Sequence, residues 1–267
     1  MEVVRPRYLP DPALSRAEME ELQRDLASEA VFADDLSFDP AAIAFDGPLA
    51  LDADQRTLGG DGPIVAGVDQ AFTDDRAVSA VVAIQNGEIV ERATGSAPLD
   101  VPYIPGLLSF REGGAIVDAL EALSTTPDAL LVDGSGRIHF REAGLATHVG
   151  VLFDVPSVGV AKNLLCGTPR ESLDDPLPEG TRVAIEADEG VSAPAGTVIG
   201  YAVQSRQYPN PETRHVNPLY VSPGHRASAE TATDIVERCC AGYKLPEPTR
   251  AADAAAGDLT AAETRGN

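Results

Sequence analysis

Lysine is almost missing from this chain: Lys162 and Lys244 are the only two in 267 residues. Lysine and arginine together number 20 against 42 aspartates and glutamates, a net charge of -22. Proteins that hold phosphates by bulk charge carry a basic face, so this composition argues against that mode of binding. It suits instead a cytoplasm at molar salt, where the Debye length falls to about 3 Å and self-repulsion is screened. A salt-loving source is expected. Cysteine is scarce as well. Cys166, Cys239 and Cys240 show no metal-ligand spacing and leave one thiol over from any pairing, which fits thiols kept reduced inside the cell. The N-terminus, with Glu2, Arg5 and Arg7, lacks the apolar core of a signal peptide, and no apolar run approaches the roughly 18 residues of a membrane span. A soluble, cytoplasmic protein is expected, with no membrane association and no obligate protein partner implied.

What is present is a long stretch, Pro63 to Tyr243, too rich in Val, Ile, Leu and Ala to stay disordered. Residues 1–60 read as an appended N-terminal element whose helix, near Ser15–Ala27, packs on the core through Met19, Leu22 and Leu26. After Gly59-Gly60 the pattern changes to short apolar runs, Ile64–Phe72, Ala77–Gln85 and Glu88–Ser96, with a hairpin signal at Asn86-Gly87. There follow a helix over Ser109–Leu123, a strand Ala129–Val132, a helix Ala143–Phe153 and a strand Ser157–Ala161. Strands near Arg182–Ala187 and Thr197–Gln204 and a helix Ser228–Cys240 complete a core domain over 61–253. Residues 254–267, an acidic tail of small residues, are expected to be disordered. Hairpins followed by alternating helices and strands describe a mixed α/β sheet flanked by helices, of which the ribonuclease H-like arrangement is one form. Periodicity alone does not separate it from others.

Three carboxylates stand at the ends of these elements. Asp69 lies inside the apolar run Ala66-Gly67-Val68-Asp69-Gln70-Ala71-Phe72, where a carboxylate is costly unless paired or bound to metal. Asp133 closes the strand Ala129-Leu130-Leu131-Val132, at the end where open α/β sheets place ligands. A turn-capping role fits Asp133-Gly134 equally well. Glu112 falls in the first turn of the following helix, where an acidic residue also simply favours the helix dipole. Hard oxygen ligands at three element ends are what metal-assisted phosphoryl chemistry requires.

The motifs around them are more specific. The stretch Val101-Pro102-Tyr103-Ile104-Pro105-Gly106-Leu107-Leu108-Ser109-Phe110-Arg111-Glu112 resembles the wedge motif of the endonuclease V family and its continuation into a helix. A second block resembling that family contains Asp133-Gly134-Ser135-Gly136, His139, Arg141, Gly144-Leu145-Ala146-Thr147-His148 and Gly159-Val160-Ala161-Lys162. Gly67-Val68-Asp69 and Tyr220-Val221-Ser222-Pro223-Gly224-His225-Arg226 extend the resemblance, which runs from about Ile64 to Asp253. Phe140, Ser135 and Asn163 depart from the commoner residues of the family.

The resemblance implies a ribonuclease H-like fold and a Mg²⁺-dependent nuclease, with Mn²⁺ able to substitute. It implies that the substrate is DNA containing deoxyinosine, cut on the 3′ side one nucleotide beyond the lesion to leave a 5′-phosphate. Inosine-containing RNA is the alternative substrate, and a non-catalytic inosine-binding protein the alternative of another class. Asp69, Glu112 and Asp133 are the implied metal ligands and Lys162 a catalytic cation. Leu245-Pro246-Glu247-Pro248-Thr249-Arg250-Ala251-Ala252-Asp253 resembles the segment bearing a fourth active-site group, here Asp253, a candidate metal ligand or water-orienting carboxylate. Physical chemistry adds readings for the rest. Pro102 and Pro105 stiffen the backbone around Tyr103 and Ile104, and such a tip could fill the gap left by a base rotated out of its stack. Gly106, Leu108, Gly134 and Gly136 could line a base pocket. His139, Arg141, His148 and Lys162 are candidate phosphate contacts, with Arg111 in support.

Overall fold

The computed structural model describes residues 1–52, 55, 56 and 59–266, with side chains as far as residue 261. Residues 53, 54, 57 and 58 of the expected N-terminal element, and 267 of the expected tail, lie outside the described residues. Three antiparallel strands open the sheet: β1 (Ile64–Phe72), β2 (Arg76–Gln85) and β3 (Glu88–Pro98). Asn86 adopts φ 51° and Gly87 φ 72° at the turn between the last two, the pair of left-handed residues that a tight hairpin demands. Next to β1, and parallel to it, run β4 (Ala129–Asp133) and then β5 (Ser157–Ala161). The remaining strands are β6 (Thr168–Pro169), β7 (Arg182–Glu186), β8 (Val198–Val203) and β9 (Leu219–His225), and the full order is β3-β2-β1-β4-β5-β9-β8-β7-β6.

Both faces of the central strands are covered, which explains their unbroken apolar runs. Ala66, Val68, Leu130 and Val132 face α1 (Arg16–Glu29), α2 (Leu108–Glu121) and α3 (Leu145–Phe153), through Leu26, Ile116, Leu120, Val149 and Leu152. The alternate residues Val65, Leu131, Val158 and Val160 meet α4 (Ala229–Arg238) through Ile235 and Val236. Ser15 caps α1 in a reciprocal box with Glu18. Its helix holds Met19, Gln23 and Leu26 buried against the body.

Apart from the two-residue β6, for which the sequence predicts no strand, two elements depart from the expectation. The final helix α5 (Glu247–Gly266) continues through the segment read as a disordered tail. Alanine is the best helix former, and Ala251, Ala252 and Ala256 are buried, the first two beside Val82 and Ile84 of β2. Strand β9, absent from the expected set, occupies a place between β5 and β8 despite its Pro223-Gly224. The proline sits beside a register shift against Ser157 and Val158, where a missing ladder donor is tolerated. Among the described residues no helix is long and apolar enough to cross a membrane.

Candidate functional site

Strand register assembles the carboxylates. Val68 of β1 pairs with Val132 of β4, and Val132 with Gly159 of β5. Asp69 and Asp133 each follow one of these residues. They therefore lie side by side on adjacent parallel strands just past the last β1–β4 pair, Asp133 closing β4 while β1 runs on to Phe72, and both share the sheet face of Gly67 and Leu131. Lys162, just past the end of β5, places Nζ 2.8 Å from Asp133 Oδ2. Asp69 is 5% exposed and accepts one hydrogen bond, from the Gln70 amide at 2.7 Å. Burial first, and then the charge of Asp133, push its carboxyl well above the usual carboxylate range, against the pull of Lys162.

Asp253 joins this group from the same face. Helix α5 begins so close to β1 that a Cβ on Gly67 would stand 1.9 Å from the Pro248 carbonyl oxygen, an approach only glycine permits. The exposed Asp253 follows in that helix, and its charge acts on both Asp69 and Lys162. Glu112 arrives from the other side as the fifth residue of α2, past the first turn expected for it, so a simple dipole role does not account for it. It is 8% exposed, and burial, joined by Asp133 and opposed by Arg111, lifts its carboxyl to about 7. Among the described residues no three His, Cys, Asp or Glu side chains converge into a ready-made metal cage.

Beside the carboxylates opens a mainly apolar cavity, lined by Tyr103, Pro105, Gly106, Leu108, Ser109, Glu112, Asp133, Gly134, Ser135, His139, Gly144, Leu145 and Leu165. Its rim is the Pro102–Pro105 tip. Tyr103 is 67% exposed and so is not a core residue, while Ile104 tucks against Met19, Val101, Leu107 and Phe110 below it. The tip ends at Gly106, whose φ of 82° favours glycine and beside which a Cβ would press on the Phe140 ring at 3.1 Å.

The carbonyl of Gly106 accepts from three donors: Gln23 Nε2 at 2.9 Å, His139 Nε2 at 3.1 Å and Arg141 at 3.3 Å. Burial, with the charge of Arg141, lowers the His139 imidazole to about 4, so it is neutral. Its Nε2–H donates to Gly106 while Nδ1 accepts from the Arg141 amide at 3.2 Å. Gln23, on the N-terminal helix, escaped the sequence reading. The signal for it was its place between Met19 and Leu26 on the buried stripe of α1.

Several expected phosphate contacts are corrected by this geometry. His139 and Arg141 brace Gly106 from inside. His148 is 1% exposed, with Nε2 2.6 Å from the Tyr8 carbonyl oxygen, and burial lowers it to about 4. No phosphate reaches it. Arg111 donates to the Val101 carbonyl at 2.8 Å and lies over Phe72. Gly136 is not in the cavity wall: its amide donates to Ser222 Oγ at 2.8 Å, and its Cα abuts the Pro223 carbonyl. Of the basic residues expected at phosphates, Lys162 alone combines partial exposure with a place among the carboxylates.

Comparison with known proteins agrees with this arrangement. Residues 51–254 match the endonuclease V family model. The chain is 63% identical to an endonuclease V of Halobacterium salinarum, over 97% of this chain and 100% of that protein. It is 61% identical to one of Haloarcula marismortui, over 97% of each. The crystal structure of endonuclease V from Streptomyces avermitilis superposes with a TM-score of 0.71 at 29% identity, covering 94% of this chain and 95% of the other. Endonuclease V of Ciona intestinalis, in complex with a 24mer DNA containing an inosine followed by a ribo-adenosine, gives a TM-score of 0.66 at 25% identity over 91% and 97%. The mixed sheet covered by helices, ribonuclease H-like in form, is common to these neighbours, and the chain belongs to the endonuclease V family of DNA-repair nucleases.

Proposed function

We propose that this nuclease requires Mg²⁺, recognises deoxyinosine in DNA and cuts the phosphodiester on the 3′ side, one nucleotide beyond the lesion. The observation that carries the reading is the juxtaposition of two aspartates side by side on adjacent parallel strands with a cavity whose rim is an exposed, proline-stiffened tyrosine. The carboxylates fit a hard cation. Asp69 is a buried oxygen donor facing like charge with one hydrogen bond of its own, and an ammonium already leans on Asp133. Mg²⁺ keeps several waters and needs few protein carboxylates, so the absence of a closed cage agrees with it.

Asp69 and Asp133 would hold the ion, with Glu112 and Asp253 as further oxygen donors on opposite sides. When bound, the ion supplies Lewis acidity toward water and phosphate and offsets the carboxylate repulsion. Lys162 is placed to shift its ammonium from Asp133 to a phosphate oxygen and to steady the charge on the departing oxygen. Tyr103 would take the space of the extruded base, while Gly106, Gly134 and Ser135 offer backbone groups to a purine edge. Local charge of this kind explains how a chain of net charge -22 can hold a phosphate without a basic face.

The reading is tested by incubating the protein in molar KCl with matched inosine-containing and unmodified oligonucleotides, with and without Mg²⁺. Cleavage restricted to the inosine strand and to Mg²⁺ or Mn²⁺ supports it, and equal cleavage of unmodified strands overturns it. Matched DNA and RNA strands in the same assay decide the substrate sugar. The ribo-adenosine in the DNA bound by the Ciona relative favours including RNA as the second substrate.

A further inference from the structure

The N-terminal arm lies largely outside residues 51–254, the part that matches the family model, yet one of its side chains reaches the recognition loop. Gln23 is 0% exposed, and all its polar atoms are used. Its Nε2 donates to the Gly106 carbonyl at 2.9 Å and, more weakly, to the Ala143 carbonyl at 3.4 Å. Its Oε1 accepts from Arg141 Nε at 2.7 Å. Arg141 in turn donates to the same Gly106 carbonyl and lies 3.9 Å from Glu20, one turn earlier on the helix.

We infer that Gln23 is a positioning residue for lesion recognition: it locks Gly106, and through it the Tyr103 tip, at the height needed to fill the gap left by an extruded base. A carbonyl has two lone pairs, and a third donor on Gly106 is more than hydrogen-bond satisfaction requires. The geometry over-determines this peptide. Its place explains why. Gly106 is the junction between the exposed tip and helix α2, which bears Glu112, so a rotation of this one peptide would swing Tyr103 relative to Asp133 across the cavity. The next backbone bond, from the Leu107 amide to the Ile104 carbonyl at 3.0 Å, closes the base of the tip. The alternative, that Gln23 merely satisfies buried polar groups under the helix, predicts a loss of stability alone.

The inference rests on the inosine reading given above, and the experiment separates the two. Wild type, Gln23→Met and Leu26→Ala are compared on inosine-containing and adenosine-containing duplexes. Leu26 is equally buried on the same helix but belongs to the hydrophobic core, so Leu26→Ala reports destabilisation by itself. For Gln23→Met we expect KM and Kd for the inosine duplex to rise about tenfold, as for loss of one buried hydrogen bond, while kcat at saturating duplex stays within about twofold. The Leu107 amide should exchange hydrogen faster, with the amides of β4 unchanged. Leu26→Ala should lower the melting temperature and leave KM and selectivity intact. Should Gln23→Met not fold, Gln23→Glu retains the acceptor toward Arg141, removes the donor toward Gly106, and must show the same rise. A Gln23 variant that behaves like Leu26→Ala, or one that loses kcat with KM unchanged, overturns the positioning role. A wild-type protein without inosine preference overturns the functional reading and this inference with it.

Discussion

The strand end carrying Asp133 and the loop carrying Tyr103 border one cavity, yet they are built in opposite ways. On β1 and β4 the backbone is fixed by sheet pairing and the charges are unresolved. Asp69 is buried against Asp133 within reach of Asp253, and one lysine faces the three carboxylates. In the loop the hinge is saturated with hydrogen bonds and the tip is bare: three donors meet at Gly106, while Tyr103 stands two-thirds exposed. On the function proposed above, the two regions divide the work: uncompensated charge would draw a cation and a phosphate, and a saturated hinge would hold the tyrosine tip against the force of base extrusion.

The largest effect should come from the unresolved side. Asp69→Asn or Asp133→Asn should lower cleavage by at least the roughly 10²–10³-fold seen on removing one transition-state donor, with inosine binding largely kept. Near-normal turnover at saturating Mg²⁺ would falsify the ligand assignment. Asp69→Asn has a second signature. Because burial, and then the charge of Asp133, raise this carboxyl in the folded state, its ionisation erodes stability as pH rises through and above the ordinary carboxylate range. The metal-free variant should therefore melt higher than wild type near pH 8. An equal or lower melting temperature would remove the contrast between the two regions.

The buried imidazoles of His139, at the hinge, and of His148, under Tyr8, should respond to pH with the opposite sign. His139 and His148 are held near 4 against an ordinary 6.5, so between those values the unfolded chain binds more protons. The stabilisation is complete above about 6.5 and is lost as pH falls toward 4, at most on the order of 3 kcal/mol for each imidazole. Thermal melts from pH 7.5 to 4.5, compared with a His148→Gln variant, measure it. A variant with the same acid slope as wild type would clear His148 of any part.

At the tip, Tyr103→Ala should weaken binding of inosine duplex by roughly 1–3 kcal/mol, the range for base–aromatic stacking. The loss should be smaller on single strands, and the melting temperature should hardly move, because the side chain is exposed. A variant that melts several degrees lower with unaltered duplex affinity would return Tyr103 to a packing role. The smallest effect is expected at Asp253, which acts on Asp69 through charge and from an exposed position. Asp253→Asn should reduce apparent Mg²⁺ affinity about tenfold, the lower end for residues around a metal site. Cleavage recovering at high Mg²⁺ marks it as a helper. No recovery promotes it to the rank of Asp69.

Much of this was legible in advance. Strand limits at Ile64–Phe72 and Ser157–Ala161, the Asn86-Gly87 hairpin and the helix bearing Glu112 follow from period and turn chemistry, because those signals are local. The misses were non-local. Strand β9 hid behind Pro223-Gly224, which mark a turn wherever no bulge absorbs them. Helix α5 hid in a composition too poor in large apolar residues to announce a buried face, though alanines suffice where the sheet comes close. His148 and Arg141 look like phosphate contacts as residue types, and nothing within their own segments says that the Tyr8 carbonyl and Gln23 wait for them.

The sequence by itself determined the strands other than β6 and β9, the carboxylates on β1 and β4 and the stiffness of the tip, since each depends on residues a few positions apart. Tertiary structure alone decided that the charge of Asp253 acts on Asp69, that three donors from two distant segments meet at Gly106, and that a histidine is walled in rather than offered to a phosphate. Burial and charge coupling act through space, and a chain position specifies neither until the sheet register and the two helical layers bring the partners together.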